Sequence, residues 1–98
     1  MTYLDDSYTE TVRTVILQMQ VRKVEQWTLT SVLSETTSAK HKYYSITVAV
    51  GQNTEAEDIC TISDITGDTA EAERIFRIIA DGCVMPCTLE DVISDILD

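Results

Sequence analysis

With 98 residues, 44% of them apolar and 24% charged, the chain is sized for one globular core and is too apolar for wholesale disorder. Seventeen acids against seven bases give a formal charge of -10, which disfavours phosphate backbones and anionic membrane surfaces as partners. No apolar run approaches the roughly 18 residues of a membrane span, and the opening MTYLDDSYTE resembles neither a secretory signal nor an Arg-rich transit peptide, so a cytoplasmic location is expected.

Residues 1–10 carry acids and no apolar period, and are expected to form a flexible acidic N-terminus ahead of a single domain over 11–98. Val15, Leu17, Met19 and Val21 then alternate with Ile16, Gln18, Gln20 and Arg22, the pattern of a half-buried strand with one lapse. A second strand is expected over Gln26–Leu33, with Trp27, Leu29 and Leu33 on one side. The link Lys23–Glu25 contains no Gly, Pro, Asn or Asp, so one long bent strand fits nearly as well.

Ser34–Lys42 is polar and reads as a hairpin loop. Tyr43–Val50 has the cleanest alternation in the chain: Tyr44, Ile46, Val48 and Val50 against Tyr43, Ser45, Thr47 and Ala49. Gly51 and Asn53 supply turn chemistry, and a short fourth strand comes next over Asp58–Ser63. Either Ile59 or the pair Cys60 and Ile62 faces inward there.

Asp68 is placed to cap a helix, with Glu71 at the capping-box position and Ala72, Ile75, Phe76, Ile79 and Ala80 as the buried stripe. Gly82 stands where a glycine would end that helix. The connector Cys83–Cys87 is short enough to make the next helix a neighbour. That helix, Thr88–Asp98, sets Leu89, Val92, Ile93, Ile96 and Leu97 on one stripe, with Thr88 as cap and Asp91 as its capping-box partner. Trp27, Tyr44 and Phe76 are the aromatic residues expected to build the core. The sum is an α+β fold: a four-stranded antiparallel β-meander followed by two C-terminal helices packed on one face.

The run from Tyr44 to Leu97 resembles a small uncharacterised family of clostridial-type (Firmicutes) bacterial proteins known only as a domain of unknown function. The resemblance rests on Tyr44-Ser45-Ile46, on Ile62–Thr66 (ISDIT), and on the ending formed by Pro86, Leu89, Asp91, Val92, Ile93, Asp95 and Leu97. Ser45 stands where glycine would be expected, and Cys87 and Thr88 stand near where a histidine often precedes the helix leucine. A histidine-dependent role in relatives would therefore not carry over. The resemblance implies a compact cytosolic domain and supplies no activity.

Cys83 and Cys87 would provide half of a tetrahedral metal site, but structural zinc needs four ligands and nothing in the sequence brings Cys60 or His41 to them. Their three-residue spacing also departs from the two-residue spacing of thioredoxin-like redox pairs. Small, semi-buried thiols at a tight helix connection account for both. His41 lies between Lys40 and Lys42, and no glycine elbow or oxyanion loop accompanies any Cys or Ser, so it reads as a solvated loop residue. Asp91 and Asp95 share a helix face near Glu90, yet calcium requires six or more oxygens with turn glycines. A solvated acidic face is the simpler reading. Gly51, Gly67 and Gly82 are isolated, which leaves no phosphate-cradling loop.

Tyr43, out of phase with Tyr44, is expected on the sheet's open face, and is the candidate interface residue. An open sheet face or edge is commonly hidden by pairing with a second copy. The expectation is accordingly a non-enzymatic cytosolic protein-interaction or regulatory module, homodimeric through its sheet or bound to another protein, with no cofactor, nucleic acid or membrane. The alternatives are a metal- or redox-responsive protein using Cys83 and Cys87, and a small hydrolase or transferase.

Overall fold

The computed structural model describes residues 12–52 and 55–98. Four strands, β1 (Arg13–Val24), β2 (Trp27–Thr37), β3 (Lys42–Gln52) and β4 (Glu55–Thr66), precede helix α1 (Thr69–Asp81). A 3-10 turn (Pro86–Thr88) then leads into helix α2 (Leu89–Leu97). The sheet is antiparallel in the order β1-β2-β3-β4, so each strand pairs with its neighbour in sequence. This is the expected α+β meander with two C-terminal helices. The anticipated flexible segment 1–10 lies outside the described residues.

The strict alternation of β3 explains its place at the centre. Tyr44, Ile46, Val48 and Val50 are buried, and the register sets them opposite Glu35, Leu33, Ser31 and Leu29 of β2. Successive strand residues point to opposite faces, so these pairs share one side, the inner face. Ile65 of β4, Ala72, Ile75, Phe76, Ile79 and Ala80 of α1, and Leu89 and Ile93 of α2 complete the core cluster. Leu33, Ile46, Ile75 and Ile79 are fully buried. The stripe of α2 is narrower than its sequence suggests: Val92 and Ile96 pack at the margin, and Leu97 is 47% exposed. Trp27 also departs from expectation, because it is half-buried at the edge of the cluster rather than central.

The hairpin loops are shorter than the polar stretches imply. Ser34–Thr37 belong to β2, because the Thr14 and Thr36 hydroxyls pair at 3.0 Å and Glu35 faces Tyr44, leaving only residues 38–41 as loop. The Ser38 hydroxyl donates to the His41 carbonyl there. Between β1 and β2 there is a break: Val24 pairs with Trp27 across a two-residue turn, and Glu25 takes φ 58. A positive φ at the first central residue is a feature of hairpin turns ordinarily assigned to glycine, which is why the sequence signals the turn poorly.

Three helix ends also differ in detail from the sequence reading. Asp68 caps α1 as expected, its carboxylate accepting from the Glu71 amide at 3.0 Å, but the reciprocal bond runs through Thr66. The Asp68 amide donates to the Thr66 hydroxyl, and that hydroxyl donates to Glu71. At the other end of α1, Gly82 is a right-handed C-cap (φ -82) and Cys83 occupies the left-handed position after it (φ 53). Amides of Cys83 and Val84 reach back to the carbonyls of Ala80 and Ile79, a Schellman closure with cysteine in the place of glycine. Thr88 starts α2 without a side-chain cap, since its hydroxyl donates backwards to the Met85 carbonyl and not to the first turn.

Candidate interaction surface and cavity

β1 reverses the ordinary division between apolar and polar residues. Its apolar alternation is interrupted by a bulge at Leu17, where the register passes from Ile16 opposite Ser34 to Gln18 opposite Leu33. A bulge inserts one residue and so flips the facing of every later residue in the strand. Gln18, Gln20 and Arg22 consequently line up with Leu33, Ser31 and Leu29 on the inner face. Gln20 donates from its amide to the Ala80 carbonyl at 3.3 Å, and Arg22 lies 3.9 Å from Asp81, so these polar side chains reach the end of α1. The outer face receives Ile16, Met19 and Val21 instead, which are 60%, 55% and 55% exposed. The half-buried strand expected from residues 15–21 is therefore an exposed one, because α1 packs on the strands beyond β1 and its end meets β1 through the polar side chains of Gln20 and Arg22.

Cross-strand rows extend this surface. Val21, Thr30, Ala49 and Ile59 run straight across all four strands, and Met19, Val32, Thr47 and Thr61 form the next row. Ile59 is 62% exposed, while Cys60 and Ile62 turn toward the core, which settles the facing of β4. The Thr47 and Thr61 hydroxyls bond to one another at 2.9 Å, so the row satisfies part of its own polarity. Tyr43 lies on the same face, opposite Thr36, half-buried and stacked on His41 with ring centroids 5.4 Å apart. Among the described residues at paired positions of this face, Lys23 is the only charged one. A nearly uncharged surface on a chain of charge -10 is a marked local departure.

At the inner end of the sheet a cavity of about 500 Å³ opens beside the β1–β2 turn. Val24, Trp27, Leu29 and Val50 from the strands and Met85 from the α1–α2 connector form its apolar wall, and Glu57 and Asp58 are its charged lining. A second bulge produces that acidic pair. Val50 pairs with Asp58 and Gly51 with Ala56, which leaves Glu57 as the extra residue.

The residues singled out for chemistry are dispersed. His41 stands at the β2–β3 loop, whereas the Cys83–Cys87 connector lies beside Trp27 through Met85, at the opposite end of β2. Eleven strand residues separate those ends by on the order of 30 Å. Cys60, Cys83 and Cys87 are free thiols. Among the described residues, no three His, Cys, Asp or Glu side chains gather as metal ligands would. Glu90, Asp91 and Asp95 lie on the exposed side of α2. Sequence reasoning misses the cavity, since its walls come from separate segments with no shared motif. The two-residue pair Glu57-Asp58 is its only sequence trace.

Among the described residues no helix is long and apolar enough to cross a membrane. Neither the curated proteins nor the solved structures contain a match to the chain. The profile of a family of unknown function, DUF6514, matches residues 8–98, a wider span than the Tyr44–Leu97 resemblance. The chain belongs to that family.

Proposed function

We propose that the chain is a non-enzymatic cytoplasmic protein-interaction module that docks through the outer face of its sheet onto a second copy of itself. The observation that carries this reading is the reversal of β1, which turns Ile16, Met19 and Val21 away from the only helices described. Scattered exposed apolar residues are ordinary, but apolar residues gathered with threonines in adjacent cross-strand rows, on a face with one charged residue among its described paired positions, are typical of docking surfaces. Charge favours a second copy. Most of a -10 chain repels its twin, and this face is where two copies can meet with Lys23 the one charged residue among its described paired positions.

The extent of the face, counted over the whole sheet although Thr36 and Ser45 at one end are already buried, reaches the lower bound for an interface. Strands of 11–12 residues make a face nearly 40 Å long, and four of them span about 15 Å, on the order of 500 Å² per copy. A pair would bury roughly 1,000 Å², near the lower limit for a specific interface. Face-to-face docking is preferred to edge pairing, because the Leu17 bulge interrupts the free edge of β1.

Analytical ultracentrifugation across a concentration series tests the reading. The expected result is a reversible species of twice the 11.0 kDa chain mass. Val21→Lys combined with Ile59→Lys should return it to the monomer with unchanged circular dichroism. A wild-type monomer at every concentration, or a dimer indifferent to both lysines, would overturn it.

A further inference from the structure

We propose that the cavity beside the β1–β2 turn is a binding site for a small organic cation, an ammonium group carried on an apolar alkyl or aryl body. Its volume of about 500 Å³ lies within the range of small-molecule sites, roughly 300–1,000 Å³. The wall is apolar over Val24, Trp27, Leu29, Val50 and Met85, and Leu29 and Val50 belong to the buried core. An apolar body would be desolvated against a surface that is already formed. Met85 adds a flexible, polarizable thioether that adapts to different shapes.

Charge selects the other half of the ligand. Both ionisable lining residues are acids, and among the described residues no Lys, Arg or His contributes to the lining. Adjacent strand residues ordinarily point to opposite faces, so two successive carboxylates on one cavity need an explanation. The β4 bulge supplies it, since Glu57 is the unpaired extra residue that brings both acids to the same side. Bulges re-aim side chains in this way beside binding sites. Neither acid takes part in an ion pair among the described residues, so each is available to a ligand. Trp27 in the wall supplies an aromatic ring, a further attraction for an ammonium group. Val24 and Trp27 are paired across the two-residue turn that closes β1 onto β2, which sets these two wall residues side by side.

The site lies on the inner side of the sheet, and this inference is independent of the proposed dimer. Trp27 is the chain's single tryptophan, so its fluorescence reports the cavity directly. The probes are 2-phenylethylamine and hexylamine, each beside its neutral alcohol counterpart and, for the aryl body, 3-phenylpropionate. The expected result is saturable change with both amines, with the alcohols at least about fivefold weaker and the carboxylate weakest. In the double variant Glu57→Gln, Asp58→Asn the amines should fall to the affinity of the alcohols, while the alcohols are unaffected. Rising salt should narrow the preference. Equal binding of amines and alcohols, an amine preference that survives the double variant, or no saturation by any probe would overturn the proposal. The lysine variants of the outer face should bind the amines as the wild type does, which separates this result from the oligomeric state.

Discussion

The Tyr44 hydroxyl donates to the Glu35 carboxylate at 2.9 Å, directly across the β2–β3 pair in which the two residues stand opposite each other. The same hydroxyl contacts the Thr69 hydroxyl at the start of α1. A fully buried ring thus ends in a polar junction that joins the sheet to the first helix. Removing the hydroxyl leaves the apolar packing intact but takes one hydrogen-bond partner from the helix threonine and one from the half-buried Glu35 carboxylate, which keeps Lys42 Nζ at 3.9 Å. Tyr44→Phe should therefore cost about 1–2 kcal/mol, in line with a charge-assisted bond. Urea unfolding would read this as a lower midpoint with unchanged slope.

The two helix starts make a paired comparison. Asp68 bonds the Glu71 amide, and Thr88 bonds nothing in the first turn of α2. Asp68→Ala should cost about 1 kcal/mol, the usual loss for a functioning cap. Thr88→Ala should stay within about 0.5 kcal/mol of wild type, because it loses only the exposed bond to the Met85 carbonyl. Equilibrium unfolding of both variants checks the contrast, and equal losses would contradict it.

The non-glycine residues at positive φ offer a test in the opposite direction. Glu25, at φ 58, is exposed, so its left-handed backbone is strained with no packing to offset it. Glu25→Gly should raise stability by about 1 kcal/mol. Cys83, at φ 53, packs against the core cluster, so glycine there relieves the backbone but loses the thiol's contacts. Cys83→Gly should gain less than Glu25→Gly. Thermal unfolding of the two variants gives the order.

β3 and α1 are legible in the sequence because each keeps one period without interruption and buries the face that period marks. β1 is not. The Leu17 bulge shifts its phase, and its apolar residues turn outward, so hydrophobicity points to the wrong face. Ser34–Thr37 read as loop because polar residues usually mark turns, yet here hydroxyl pairing and the Glu35–Tyr44 bond hold them in the sheet. Thr88 and Gly82 are recognisable as end signals, but the position of the left-handed residue and the direction of a hydroxyl depend on backbone geometry that residue type does not specify. The cavity depends on the β1–β2 turn and the β4 bulge meeting one connector, and no single segment carries its pattern. The thiols and the lone histidine stand as joint candidates in sequence only because their separation along β2 is a property of the folded sheet.

The meander has a kinetic consequence. Each strand pairs with the one before it, through turns as short as the two residues between Val24 and Trp27. The entropy of closing such small loops is modest, so the sheet is able to assemble hairpin by hairpin without waiting for distant segments to meet. The helices, which supply much of the core, come last in the chain. Until they dock, the inner face of the young sheet lacks its helical cover, and the same Leu17 bulge that interrupts the edge of the finished fold helps keep unfinished copies from joining strand to strand.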